Sequence, residues 1–279
     1  MRARVFIIVF AMFCSSAQSQ ESLVVVGQQL NEIIFALGAG DQVVATHGYR
    51  EHIAGVDSAD QILGFGPMVR SAESLLAFRP TAIWVMDERI DEPTLAQLNS
   101  VGVTVEHFPK SWSLDQVPGF IEDIAKRLNV DSAASQVTAR FMSDLAQVRA
   151  LQPLDPAPPS IFILAGGNRP MLTAGRDSDF QRLSDLAGGF NASTHVGYQL
   201  LSAEETMRIA PELIFLLDEA MPAGQPPVVI DLPGLRLTPA AKASRFVTID
   251  GHCLTDFGIY TPSCVLKLRH ELEQAVAKR

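Results

Sequence analysis

The sequence predicts an α/β fold of two lobes, each with a mostly parallel sheet, joined by one long helix. Three observations predict it. First, Ser71-Ala72-Glu73 is followed by Pro80 and an apolar run through Ile83, Trp84 and Val85, and Ser202-Ala203-Glu204 is followed by Pro211 and a run through Leu213, Ile214, Phe215 and Leu216. Each copy reads as a serine cap, an acidic first turn, a short helix, a proline break and a buried strand. Second, short apolar runs alternate with amphipathic stretches and glycine turns in both halves, the pattern of strands and helices in turn. Third, the stretch between the halves has helical spacing throughout, at Val117, Ile121, Ile124 and Leu128, then at Val137, Phe141, Leu145 and Val148.

The elements follow in order. Leu23-Val24-Val25-Val26 is a buried parallel strand ending at Gly27. Asn31 to Leu37 is a helix closed by Gly38, and Gln42 to Thr46 is a second strand. Val103-Thr104-Val105 reads as a late strand of the first half. Leu114 to Leu128 and Ser132 to Leu151 are helices, the second capped by Asp131-Ser132. The second is about 30 Å long at 1.5 Å per residue. Pro153, Pro156, Pro158 and Pro159 end it. Ile161 to Leu164 is a strand, Asp179 to Ala187 a helix closed by Gly188-Gly189, and Phe246 to Ile249 a late strand. The expected organisation is a leader at 1–19, a first lobe at 20–130, a linker helix at 131–152 and a second lobe at 153–279.

Composition narrows the class. Hydrophobic residues make up 47% and charged residues 19% of the chain, which suits packed domains and not disorder. A net charge of −9 with no dense Lys/Arg run argues against nucleic acid. Arg2 and Arg4, the apolar run Val5 to Phe13 and the small-x-small Ala17-Gln18-Ser19 read as a secretory signal cleaved before Gln20. Its loss leaves 20 basic against 31 acidic side chains, a charge of −11. No later segment is apolar enough to span a bilayer, so the mature chain is expected to be exported and soluble. Cys253 and Cys264 either pair in that oxidising compartment or stay as two buried thiols. A Gly-x-Ser-x-Gly elbow, a P-loop and a complete dinucleotide-binding glycine pattern are all missing, so the chain is not expected to be an enzyme.

Several phrases carry a resemblance: Asn31-Glu32-Ile33-Ile34-Phe35-Ala36-Leu37-Gly38-Ala39-Gly40-Asp41, Ser71 to Pro80, Pro170 to Arg176, Leu186-Ala187-Gly188-Gly189, and Leu232-Pro233-Gly234-Leu235 with Leu237-Thr238-Pro239-Ala240. In this order they resemble the class III periplasmic binding proteins, two Rossmann-like lobes on one interdomain helix, which serve ABC importers for iron–siderophores, cobalamin and heme. The second-half phrases are most similar to the hemin-binding branch. The resemblance implies a periplasmic protein that captures heme between its lobes and hands it to the permease dimer of an inner-membrane ABC transporter, downstream of an outer-membrane heme receptor system. It also implies that Glu73 and Glu204 dock onto permease arginines, for which an exposed carboxylate suits the guanidinium fork. The alternatives are cobalamin, a ferric siderophore, or an exported ligand-binding protein with no permease.

The hemin-binding branch has a tyrosine in the loop before the first Ser-Ala-Glu. Here that loop is Leu63-Gly64-Phe65-Gly66-Pro67-Met68-Val69-Arg70, without one. Because heme iron takes Tyr, His or Met, the candidate iron ligands are His47, Tyr49, His195 and Tyr198, with Met68 a further sulfur. Arg50, Arg70 and Arg176 are candidates for the propionates. Phe65 and Phe257 are candidate apolar walls, and His252 and Tyr260 lie in the tail loop. Trp84 reads as core.

Overall fold

The computed structural model describes residues 22–47, 63–65, 71–86, 90–109, 113–164, 171–217, 234–254 and 257–278, with the backbone alone at 47, 63–65 and 252. The leader expected at 1–19 lies outside them. Among the described residues no helix is long and apolar enough to cross a membrane.

Lobe one is built on β1 (Leu23–Val26), β2 (Val43–His47), β3 (Leu63–Phe65), β4 (Ala82–Met86) and β5 (Thr104–Phe108). They lie in the order β3-β2-β1-β4-β5, all parallel. The central strands are apolar on both faces because helices cover both. One face puts Leu23, Val25, Trp84 and Phe108 against α1 (Gln28–Ala36). The other puts Val24, Val26, Ile83 and Val85 against α2 (Ala72–Leu76) and α3 (Glu92–Ser100). A 3-10 turn at Leu114–Gln116 then opens α4 (Val117–Arg127). It splits the single helix expected from Leu114, since Pro118 sits in the first turn of α4, where a missing N–H costs nothing.

Helix α5 (Asp131–Ala150) carries the chain from the first sheet to the second. Its Ala134, Phe141 and Leu145 are buried in the core of lobe one, and Val148, one turn on, is buried in that of lobe two. Asp131 is a helical residue here and makes no cap, contrary to the expectation; the capping position is Val130, with no side-chain bond.

Lobe two comprises β6 (Pro159–Leu164), β7 (Leu172–Ala174), α6 (Asp179–Leu186), β8 (Phe190–Asn191), β9 (Tyr198–Leu200), α7 (Ala203–Ile209), β10 (Leu213–Leu217), α8 (Pro239–Lys242), β11 (Phe246–Ile249) and α9 (Thr261–Ala277). The sheet order is β11-β10-β6-β7-β9, with β8 beside β6. Its parallel half, β11, β10, β6 and β8, is extended by a β6-β7-β9 meander that is antiparallel. Phe162, Phe180 and Phe215 stack in its core with centroids 5.3 and 5.5 Å apart. Val265, Leu268 and Leu272 of α9 close that core, and α9 also packs along α5.

Cys253, just past β11, is disulfide-bonded to Cys264 in the first turn of α9. The bond closes a short loop, with its two cysteines 11 residues apart. Reduction, or the double change Cys253→Ala with Cys264→Ala, is expected to cost about 2–3 kcal/mol of unfolding free energy. Urea unfolding with and without reductant reads it; an unchanged midpoint would refute the estimate.

Candidate functional site

Open α/β sheets gather their ligand loops at the carboxyl ends of the strands, and both lobes present that end to the same junction. In lobe one β1 exits into the start of α1. In lobe two the chain leaves β11 through a 3-10 turn and reaches Phe257. The two exits touch: Gln29 of α1, buried, donates from Nε2 to the carbonyl of Phe257 at 2.6 Å. Glu32, one turn later and 1% exposed, accepts from Gln28 at 3.2 Å and lies against Gly258, where an added Cβ would stand 2.6 Å from its Oε2. Tyr260 completes the contact. Its phenol is pushed above the ordinary value by burial first and by the Glu32 charge second, with Arg140 pulling the other way.

The helix start that makes this contact has no capping side chain, so the expected start at Asn31 falls three residues late. Asn31 sits inside α1, and its Nδ2 donates to the Gly27 carbonyl at 3.1 Å and to the hydroxyl of Thr46 on β2. That buried amide ties the β1 exit to the neighbouring strand. Four of the first five helical residues, Gln28, Gln29, Asn31 and Glu32, are polar, and three of them are nevertheless buried, which spacing alone does not reveal.

Behind Phe257 stands Arg182 of α6, its guanidinium 4.5 Å from the ring centroid and its Nη1 3.2 Å from Asp179. The sequence reading singled out Phe257 and passed over Arg182, because the spacing of α6 marks only Leu183 and Leu186. Tyr198 of β9 is 42% exposed. Burial first, and then the charge of Asp179, raise its phenol above the ordinary value.

His195 is placed differently from the expectation. Its side chain is 8% exposed, with Nε2 3.0 Å from the Thr173 carbonyl and Nδ1 3.3 Å from Glu205. Both ring nitrogens thus face oxygens of the protein itself, and the side chain is packed within its own lobe. Arg176 is exposed and follows β7, which runs away from the cleft end; its Nε donates to the Thr194 carbonyl at 3.1 Å. Both residues brace the 193–197 turn. Gly175 allows this bracing, since an added Cβ would stand 2.2 Å from the His195 carbonyl oxygen.

His47 and Phe65 end the paired strands β2 and β3 at the carboxyl end of the sheet. Tyr49, Arg50, Met68 and Arg70 lie outside the described residues. Trp84 is 1% exposed and packs on Phe108 at 5.0 Å, inside the core. Among the described residues no group of three His, Cys, Asp or Glu side chains could hold a metal ion.

The two serine phrases fold alike. Ser71 accepts from the Ser74 amide at 3.3 Å and Ser202 from the Glu205 amide at 3.1 Å, which caps α2 and α7. Both helices start at the carboxyl end of their sheet, because each descends to a strand that climbs back parallel to the centre, β4 or β10. Glu73 and Glu204 are both exposed, each in the first turn of its helix.

Two α/β lobes meeting at their strand ends, with one long helix as the crossing, define a bilobal ligand-binding protein. The chain belongs to the family described as periplasmic binding protein, which it matches over residues 23–252. Among solved structures it is similar to the periplasmic heme-binding protein RhuT from Roseiflexus sp. RS-1 in apo form. The identity is 25% and the TM-score 0.73, with 92% of this chain and 99% of that one covered. It is also similar to the periplasmic heme-binding protein BhuT in complex with two hemes, at 28% identity and TM-score 0.72, covering 91% and 98%. Among curated proteins it is 20% identical over 210 residues to the vitamin B12-binding protein of Yersinia pestis (strain Pestoides F), covering 75% of this chain and 73% of that protein. The family is one of solute-binding proteins.

Two outcomes follow from this geometry. Gly175→Ala is expected to cost about 2 kcal/mol or more, because the atom it strikes is backbone; an unchanged denaturation midpoint would contradict the contact. Tyr198 and Tyr260 are both raised, so the stability they permit is intact below the unfolded phenol value, about 10, and is lost as pH rises through their higher folded values. Phenolate absorbance is expected to rise at higher pH in the native protein than in the unfolded chain. Coincident curves would refute it.

Proposed function

We propose that this protein captures heme in the cleft between its lobes and delivers it to an inner-membrane ABC importer, working in the periplasm. The observation that carries this reading is the end-to-end likeness, at 25 and 28% identity, to two heme-binding proteins of the same architecture. The vitamin B12-binding relatives favour cobalamin as the second reading, at 20 to 21% identity over three quarters of the chain. The iron ligand is His47, which ends β2, or Tyr49, two positions later in the sequence. His195 is already packed against two protein oxygens, and a raised Tyr198 resists forming the phenolate that iron prefers. Arg50, Arg70 and Arg182 are the candidates for propionate pairing, with Phe257 as an apolar wall. Glu73 and Glu204 engage arginines of the permease.

Titration of the mature apo protein with hemin is expected to give a saturable Soret shift. His47→Ala or Tyr49→Phe should move the bound band, while His195→Ala and Tyr198→Phe should leave it in place. A spectrum identical to free hemin, together with saturable cobalamin binding, would replace heme by cobalamin. Charge reversal at Glu73 and Glu204 is expected to abolish uptake with hemin affinity unchanged; intact uptake would remove the docking assignment.

A further inference from the structure

The segment through which lobe two touches lobe one is fastened at both ends in lobe two. Cys253 and Cys264 are joined by a disulfide, and both are buried in the lobe-two core. Between them, Phe257, Gly258, Ile259 and Tyr260 reach the other lobe. The Phe257 carbonyl accepts from Gln29, Ile259 is buried in the lobe-one core, and Tyr260 packs against both cores. Local bonds stiffen the segment. The Gly258 amide donates to the Thr261 hydroxyl at 2.9 Å, the Thr261 amide to the Gly258 carbonyl at 3.2 Å, and the Ser263 hydroxyl to the Tyr260 carbonyl at 2.8 Å. Arg182 of α6 lies over the Phe257 ring. Lobe two therefore presents these four residues as part of its own body.

At one point of this contact there is no room for a side chain. A Cβ on Gly258 would stand 2.6 Å from Oε2 of Glu32 and 3.5 Å from Cγ of Gln29, both on α1 of lobe one. An approach of 2.6 Å has to widen by about 1 Å to become an ordinary contact. The tip of an exposed carboxylate would swing aside. Glu32 is instead buried and accepts from Gln28 at 3.2 Å, so its place is held. The lobes have slack to answer in its stead. A cavity of about 250 Å³ lies among Ala36 at the end of α1, Val137 and Arg140 of α5, and Tyr260 and Ser263. With that space between α5 and the segment, the stop on their approach is Gly258 against Glu32.

We propose that Gly258 is a positioning residue for cargo binding. Its close approach to Glu32 sets how nearly the two lobes come together, and the Cys253–Cys264 bond keeps the segment that carries it from drawing back into lobe two. A cleft holds its ligand only in the fraction of molecules whose lobes are correctly apposed, so a contact that shifts this fraction changes affinity without touching the ligand. The effect on cargo rests on the heme reading above; the effect on lobe separation does not.

The test uses the mature protein with spin labels at Asn99→Cys on α3 and Lys242→Cys on α8, both exposed, so that one label reports from each lobe. Gly258→Ala is expected to lengthen the distance between the labels, read by pulsed electron paramagnetic resonance. It is also expected to speed hemin dissociation by about tenfold, the scale of an overpacked contact, with the bound Soret band in place. Glu32→Asp withdraws the carboxylate by one methylene. Added to Gly258→Ala, it is expected to restore both distance and rate, a coupling that a double-mutant cycle measures. Cys253→Ala with Cys264→Ala is expected to broaden the spread of distances; an unchanged spread would remove the disulfide from the inference. Thermal melts check that each variant folds. If Gly258→Ala does not, Gln29→Ala, which removes the bond to the Phe257 carbonyl, is read in its place, and a wild-type distance there would overturn the inference. So would an unchanged distance in folded Gly258→Ala, or a change that Glu32→Asp fails to reverse. A wild type that binds no hemin would overturn the heme reading, and the label distances would still decide on Gly258.

Discussion

The molecule hangs on the burial of one helix by two cores. The apolar stripe of α5 is divided: Ala134, Phe141 and Leu145 belong to lobe one, and Val148 to lobe two. Neither lobe can be shifted along the helix without exposing side chains that each contribute about 1.5–3 kcal/mol when buried. The separation of the sheets is therefore set by helical rise, and Ile259 and Tyr260, packed against the lobe-one core, tie the lobes at a second place. This is why the contacts of Gln29 with Phe257 and of Glu32 with Gly258 matter. They lie where the strand ends of the two lobes meet, on the path that any opening or closing must disturb.

The charge environment of that junction is unlike the surface. Glu32 is almost fully covered, and Tyr260 responds to both Glu32 and Arg140. Polar groups buried in this way are costly unless they are bonded; Gln28 donates to Glu32 and Gln29 to the Phe257 carbonyl, while Asn31 donates from Nδ2 and leaves its Oδ1 buried without a partner among the described residues. A cluster of this kind specifies one arrangement of the lobes more sharply than apolar contact would, since a slip strands a donor or a carboxylate.

Much of this was legible in the residues. The buried strands announced themselves as apolar runs, because helices cover both faces of each sheet. The two serine phrases predicted caps that the backbone confirms at Ser71 and Ser202. The α5 helix followed from the spacing of Val137, Phe141, Leu145 and Val148. What stayed hidden was tertiary. Nothing local marks α1 as starting at Gln28, since Gly27 has no side chain to cap with. Three-residue strands such as β7 and β9 carry too little pattern to reveal that they run antiparallel to their neighbours. Arg182 over Phe257 joins residues of separate elements that only folding brings together. His195 looked like a loop histidine free for a ligand because the carbonyl and carboxylate that hold it come from Thr173 and Glu205.

One consequence of the junction concerns the order in which the chain becomes a protein. The core of lobe one includes Ile259, with Tyr260 packed against it, and both come from the far end of the sequence. Lobe one thus lacks part of its own wall until every strand of lobe two has been made. A chain that emerges from its N-terminus must hold that gap open throughout the synthesis of lobe two, and contacts of such long range are the slow ones. The two lobes look like separate domains, but the first is finished by residues that follow the last strand of the second.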